Sequence, residues 1–423
     1  MKRFLVRALN VLIALLLLLL FFFTVQTWRL HHIDLHWFSD LSGRGAGTDR
    51  AFIDPPVSLL YSEAARPVSL VYAQNGQRWG AGFADPAVDG LYARIQYTLR
   101  EALGSASQPT VIAQDAYRAL LDNAVVIAYP APLPLSLIHS WLSRAEQALP
   151  GGNAQTLAIN FSDADGIVLC WEEGGRHYRA DTQAWWRAEI DTALLQPLRF
   201  AFEIDTLTGL DDTHLVFGAA PSPHSWQIGR PGGWESWGLA VLRGIGENPD
   251  TAAAFPLGDA RVFTAESYRM EINPNGSLRY DRLHLPEAAT GQAEPAYLVE
   301  RSLALLRCGE GHWGEASVML TALEARDGGQ VDIRFEYLPS GLRLFQENGE
   351  LLTAGLFRFR NGILEHAELT LRHFGQGPAV TLSPEHVALW ISGDLYPGSY
   401  LAVGQFIDGD WAKPSWYVAG VPQ

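Results

Sequence analysis

The sequence predicts an α+β protein: an N-terminal transmembrane helix followed by two or three extracytoplasmic domains with antiparallel sheets and few helices. Three observations carry this. A basic start runs into an unbroken apolar stretch, strand-like segments are joined in pairs by Asn-Gly or Gly-rich turns, and only a few segments show helical periodicity. Runs of hairpins with a handful of helices describe segregated α+β layers better than a parallel, doubly wound sheet.

The apolar stretch spans Ala8 to Val25, interrupted only by Asn10 and Thr24, behind Lys2, Arg3 and Arg7. At 1.5 Å per residue, roughly 18 helical residues cover about 27 Å, close to a ~30 Å hydrocarbon layer. The basic residues precede the run, which keeps the N-terminus cytoplasmic and exports the remainder, and Trp28 follows at headgroup depth. A cleaved signal peptide is the competing reading. It fits less well, because no small-x-small site follows Phe23 and the run exceeds an ordinary signal core. Asn10 is the residue of this helix best able to hydrogen-bond a partner helix, or simply to reach the interface.

About 395 residues remain beyond the anchor, enough for more than one core. The whole chain carries −15, and the three basic groups of residues 1–28 leave −18 on the rest. That excludes nucleic acid as a partner and a basic face docked on anionic lipid. Cys170 and Cys308 are the only cysteines, too far apart for a local zinc or redox motif. Cys170 stands in an apolar run, and two free thiols fit better than an exported disulfide.

Residues 29–49, with three histidines and then Ser42-Gly43-Arg44-Gly45, form a juxtamembrane linker. A first domain follows over 50–196. Strands are expected at Val57–Tyr61 and Val68–Tyr72. A helix opens at Asp85-Pro86, with Val88, Leu91, Ile95, Leu99 and Ala102 on one face and a stop at Gly104. A short helix (Gln114–Asn123) and a buried strand (Val125–Tyr129) come next. Pro130, Pro132 and Pro134 then break the chain before a helix over 135–148. Two strands, Thr156–Phe161 and Ile167–Trp171, flank an Asx-type turn, and Arg176–Arg179 returns after Gly174-Gly175. Asp181 is expected to cap a helix running to Leu195.

A middle section, 197–264, reads as strands at Leu198–Phe202 and Leu215–Phe217, a Gly- and Pro-rich loop over Ser222–Gly233, and a helix from Trp234 to Gly246. The C-terminal domain, 265–423, is the most legible. Tyr268–Ile272 and Ser277–Tyr280 form a hairpin around Asn273-Pro274-Asn275-Gly276, and Ala296–Cys308 a helix. Ala316–Glu324 pairs with Gln330–Leu338, where Val331, Ile333, Phe335 and Tyr337 alternate with Asp332, Arg334 and Glu336, one face core and the other wet. Leu356–Arg360 turns through Asn361-Gly362 into a strand from Ile363. A short helix runs from Ser383-Pro384-Glu385 to Ile391, and strands at Tyr400–Phe406 and Ser415–Val418 end the chain.

Catalytic signatures are sparse. The chain has no HExxH, no Walker A loop and no G-x-G-x-x-G. In Gly233-Trp234-Glu235-Ser236-Trp237-Gly238 the serine stands one place too late for a nucleophile elbow. Asp205, Asp211, Asp212 and His214 are the densest polar group. Their carboxylates could hold a cation or serve glycoside hydrolysis, but a turn between strands accounts for them as well. No catalytic, cofactor-binding or metal-binding residue is assigned, and no cofactor is expected.

A lone anchor before an exported α+β chain resembles the YycH/YycI family, extracytoplasmic regulators of the WalK sensor kinase. So do the strand pair Arg269–Tyr280 before a helix, the passage Pro339-Ser340-Gly341-Leu342-Arg343-Leu344-Phe345, the hairpin at Asn361-Gly362-Ile363, and the closing Lys413-Pro414-Ser415-Trp416-Tyr417-Val418. Length and layout are closer to YycH, and the order of these elements, rather than any single motif, carries the resemblance. It implies a non-enzymatic membrane protein that modulates a sensor histidine kinase, alone or with a second regulator of the same type, through helix and extracytoplasmic contacts. Two other readings stand beside it. One is an anchored extracytoplasmic hydrolase. The other is a sensor module for cell-wall fragments, with Trp226, Trp234 and Trp237 lining its pocket.

Overall fold

Chain order in the computed structural model starts with a hairpin, β1 (Ser69–Gln74) and β2 (Gln77–Ala81), joined by Asn75-Gly76 with both residues at positive φ (52° and 78°). The structure describes residues 66–82, 85–142, 151–161, 166–200, 215–230, 232–284, 295–308, 317–326, 328–392 and 400–419. The apolar segment 8–25, the linker, the strand expected at 57–61 and the group Asp205, Asp211, Asp212 and His214 lie outside them. Among the described residues no helix is long and apolar enough to cross a membrane.

Helix α1 (Ala87–Ser105) follows. The Asp85 carboxylate accepts from the Ala87 N–H at 2.8 Å, as its cap position requires, and Val88, Leu91, Ile95, Leu99 and Ala102 are all buried. The helix runs through Gly104 instead of stopping there. After β3 (Thr110–Ile112) and α2 (Gln114–Leu121) comes β4 (Ala124–Pro134), and here expectation fails. The strand continues through its three prolines. Its register against β5 (Asn153–Asn160) jumps from Ala128↔Thr156 to Leu133↔Ala154, so Pro130 and Pro132 occupy a bulge where no ladder N–H is needed. Helix α3 (Leu135–Leu142) lies between these two strands in sequence.

Strands β6 (Val168–Glu173) and β7 (Arg176–Asp181) turn on Gly174-Gly175, both at positive φ. The helix expected after Asp181 does not form. Ile167 and Thr182–Ala184 exchange hydrogen bonds (Thr182 N to Ile167 O, Ile167 N to Ala184 O) that hold the chain extended, and only a 3-10 turn, Thr192–Leu194, follows. With β8 (Gln196–Phe200) and β9 (Leu215–Phe217) these strands make a nine-stranded sheet in the order β3-β7-β6-β5-β4-β1-β2-β8-β9. Helix α2 covers part of one face through Tyr117, Ala124, Ala158 and Cys170. The alternate residues Val125, Ile127, Leu157, Ile159, Leu169 and Trp171 fill the other face, on the side of α1 and α3.

The loop expected over Ser222–Gly233 contains a strand, β10 (His224–Gly229), paired with two strands that arrive much later in the chain. Helix α4 (Trp234–Ile245) then closes on Gly246 in the left-handed region, whose N–H caps the Leu242 and Arg243 carbonyls. Strands β11 (Ala253–Leu257) and β12 (Ala260–Thr264) were not expected; β13 (Tyr268–Ile272), β14 (Ser277–Arg282) and helix α5 (Pro295–Arg307) were.

Strands β15 (Ser317–Arg326), β16 (Gln330–Leu338), β17 (Arg343–Phe345), β18 (Thr353–Arg360), β19 (Ile363–Thr370) and β20 (His373–Ala379) lead to helix α6 (Glu385–Ser392) and a final pair, β21 (Tyr400–Asp408) and β22 (Trp411–Ala419). They complete an eight-stranded sheet, β11-β12-β13-β14-β19-β18-β16-β15, and a five-stranded sheet, β17-β21-β22-β10-β20. The sheets are antiparallel apart from the β17–β21 pair. Helices α4 and α5 cover one face of the eight-stranded sheet, and close approach is built in: a Cβ on Gly238 would run into the buried Ile272 side chain.

The outer side of β16 is not simply wet. Ile333, Phe335 and Tyr337 are core as expected, but Asp332 and Glu336 are also buried, 7% and 3% exposed. Asp332 is enclosed by Arg326 and Arg358, each 3.0 Å away. Glu336 lies near Thr321 and Arg343, close to where β15 abuts β4 and Arg343 Nη2 donates to the Pro130 carbonyl at 2.9 Å. Both cysteines are free thiols.

Candidate interaction surfaces

The Trp-rich stretch supplies no binding platform. Trp226, in β10, and Trp237, on the covered face of α4, are each 3% exposed, so two of the three rings are core; Trp234 is half-buried at the start of α4. An aromatic pocket built from them is ruled out. Among the described residues, no three His, Cys, Asp or Glu side chains are placed to hold a metal ion.

One polar cluster does converge. Register sets Asp281 opposite His366 and Arg279 opposite Glu368. His366 Nδ1 lies 2.7 Å from Asp281 and its Nε2 3.3 Å from Glu368, while Arg279 donates to Asp281 at 2.8 Å. Burial pushes the Asp281 carboxyl up, but hydrogen bonds and charge from Arg279 and His366 outweigh it and hold the group below its ordinary range. The same pattern extends sideways to Arg269–Glu271 and to Asp332 between Arg326 and Arg358. From β13 to β15 the outer face of the eight-stranded sheet carries ion pairs both within strands and across them. Its histidine is explained by neighbours in register, with no nucleophile beside it.

The second face of the nine-stranded sheet is different. Helix α2 covers only part of it: Val126 packs half-buried against the α2 cluster, and Val71 and Thr156 are half-buried as well. Two concavities of about 570 Å³ each open here and share Thr156 and Glu172. One lies beside α2, with Arg78, Arg118, Asp115 and Asp122 around Val126 and Leu215. The other lies between β5, β6 and the second half of β15, and its charged residues are Glu172, Glu173 and Glu324. Beneath this face Cys170 is fully buried; burial pushes its thiol up to about 12, although Arg179 pulls the other way, so it is an inert core group. A third surface is the outer side of α1, where Arg100 and Arg187 stack on exposed Tyr97 and Trp185 stands 54% exposed.

None of these surfaces is announced by a motif. The two walls of the β5–β6–β15 concavity come from residues about 150 positions apart in the chain, and Glu172-Glu173 reads in sequence as an ordinary hairpin end.

No family model matches the chain, and no curated protein matches it either. Its fold does match a solved structure. The crystal structure of YycH from Bacillus subtilis superposes with a TM-score of 0.56 at 9% sequence identity, covering 88% of this chain and 98% of that one. The chain therefore has a YycH-like fold. The likeness in fold reaches beyond residues 265–423 into the N-terminal half.

Proposed function

We propose that this protein is a membrane-anchored, non-enzymatic regulator of a two-component sensor kinase in cell-wall homeostasis. On this reading the 8–25 helix spans the membrane with its N-terminus cytoplasmic, and the folded part acts outside the cell. The observation that carries it is the likeness to YycH across nearly the full length of both chains. The charge-laced face and the partly covered apolar face suit a protein that works by contact. A single helix transmits no product inward, but it can pack against a kinase helix and bias that kinase between two states. A regulator of the same type is the natural second partner.

Affinity purification of the full-length chain from host membranes, after mild crosslinking, is expected to recover a sensor histidine kinase. Replacing residues 1–28 with an unrelated single-span anchor should weaken that recovery. Equal recovery would remove the helix from the mechanism, and recovery of no kinase would overturn the assignment.

A further inference from the structure

The eight-stranded sheet has two free edges, and they are built differently. At one end β11 carries Pro256, which has no N–H to offer an added strand. At the other end β15 carries no proline. Its first half, Val318 to Thr321, is buried. Register with β16 slips at Thr321, from Leu320↔Phe335 to Ala322↔Arg334. Past that bulge the strand emerges, and Glu324, Ala325 and Arg326 are exposed. Among the described residues no strand pairs with this outer edge, and the backbone groups of alternate residues point away from β16.

What faces that edge is the second of the two concavities. Its far wall comes from the start of β5 and the end of β6, with Asn153, Gln155 and Thr156 beside Glu172 and Glu173, and Pro132 of β4 adjoins them. Among the described residues three carboxylates line the space, and no Lys or Arg does. Glu173 accepts a hydrogen bond from Asn153 Nδ2 at 2.8 Å, and Glu324 is 3.2 Å from Arg326 at the rim. Glu172 has no ion pair among the described residues.

We propose that this groove binds an extended basic peptide segment, which adds to the edge of β15 as a further strand and sets its Lys or Arg side chains against Glu172 and Glu324. Alternate side chains of such a strand lie about 7 Å apart on one face, a spacing that lets successive cations address the two walls. A second copy of this chain is a poor occupant. The sequence after residue 28 carries −18, so two copies repel. The inference goes beyond the regulator reading, since it holds for any partner with such a segment.

The test uses the full-length chain in mild detergent and a fluorescein-labelled peptide of four Lys-Val repeats, followed by fluorescence anisotropy. The Lys peptide is expected to bind and its Glu-Val counterpart not to. Two further probes carry N-methyl groups on all the lysines or on all the valines. Strand addition tolerates one pattern and weakens the other about tenfold or more, because only alternate N–H groups face β15. Glu172→Gln with Glu324→Gln should weaken the Lys peptide about tenfold without shifting the thermal midpoint, both side chains being exposed. Equal binding of the two N-methylated probes would overturn strand addition, and unchanged binding to the double variant would overturn this location. A dimer that Glu324→Lys dissolves would give the groove to a second copy. Failure of every probe while a kinase still co-purifies would sink this proposal alone.

Discussion

The nine-stranded and eight-stranded sheets each bury one face under two helices, α1 with α3 and α4 with α5, and they part company on the other face. The eight-stranded sheet finishes that face with charge. Arg269 and Arg279 pair with Glu271 and Asp281 along their own strands, and His366 with Asp281, and Arg326 and Arg358 with Asp332, across strands. The nine-stranded sheet leaves its second face apolar in the middle and concave at the sides, with α2 covering only a part. A protein could solvate both faces. The two sheets thus complete their second faces by different means.

The comparison breaks first if the covered faces are unequal. Leu99, on the covered side of the nine-stranded sheet, and Phe357, on that of the eight-stranded sheet, are both fully buried. Truncating either to alanine is expected to cost about 3–5 kcal/mol by urea denaturation, the transfer term plus the cavity left behind. Similar losses would confirm that both sheets stand on equivalent cores. A loss below 1 kcal/mol at Leu99 alone would mean that the N-terminal half contributes little to the stability of the whole.

The next effect concerns the finished face. Asp332 is 7% exposed and is enclosed by two arginines whose own side chains reach water. Removing both, Arg326→Ala with Arg358→Ala, leaves a buried carboxylate with only Gln330 Nε2 at 3.2 Å and should cost about 2 kcal/mol. Adding Asp332→Asn to that pair should restore most of the loss. If it restores nothing, the arginines act through packing of their stems, and the face is less electrostatic than its distances suggest.

How much of this was legible in the sequence divides along physical lines. Local signals read well. The turns at Asn361-Gly362 and Gly174-Gly175, the periodicity of α1 and the Pro384 start of α6 all appear where expected, because each is decided within a few residues. Elements decided by distant partners did not read. Strand β20, His373-Phe374-Gly375-Gln376-Gly377-Pro378-Ala379, looks like a loop, yet it pairs with β10 about 150 residues earlier. There Gly377 is required, since a Cβ would fall 2.6 Å from Ser225 Oγ. The prolines of β4 and the buried Asp332 and Glu336 failed for the same reason: a bulge or a guanidinium supplied by another strand reverses the local rule.

Glu336 gives a smaller, pH-dependent effect at the junction of the two sheets. Burial pushes its carboxyl above the ordinary value, against Arg343, the Thr321 hydroxyl and Arg334, which pull it down. An acid whose folded pKa is raised binds its proton more tightly folded than unfolded. This group therefore favours the folded state below its unfolded pKa and loses that contribution as pH rises through the folded value. Glu336→Gln should flatten the stability profile above pH 4.5 and raise the thermal midpoint at pH 7 relative to the parent. A lower midpoint at pH 7 would show that the attraction of Arg343 and the Thr321 hydrogen bond outweigh desolvation.

The smallest effect is the sharpest test of the finished face. Arg279 is the most exposed member of its cluster, with 61% of its side chain open to water, and it holds Asp281 at 2.8 Å and Glu368 at 4.0 Å. Screening and side-chain entropy limit such contacts, so Arg279→Ala is expected to cost below about 1 kcal/mol at low salt and nothing measurable at 1 M salt. Asp281 supplies the sign. Its carboxyl is held low, so its contribution is present above its unfolded pKa and fades as pH falls through the folded one. The deficit of the variant should therefore shrink in acid along with the parent's own stability. A salt-independent loss would mean that Arg279 acts by covering apolar surface, and the contrast between the two sheets would then rest on packing instead of charge.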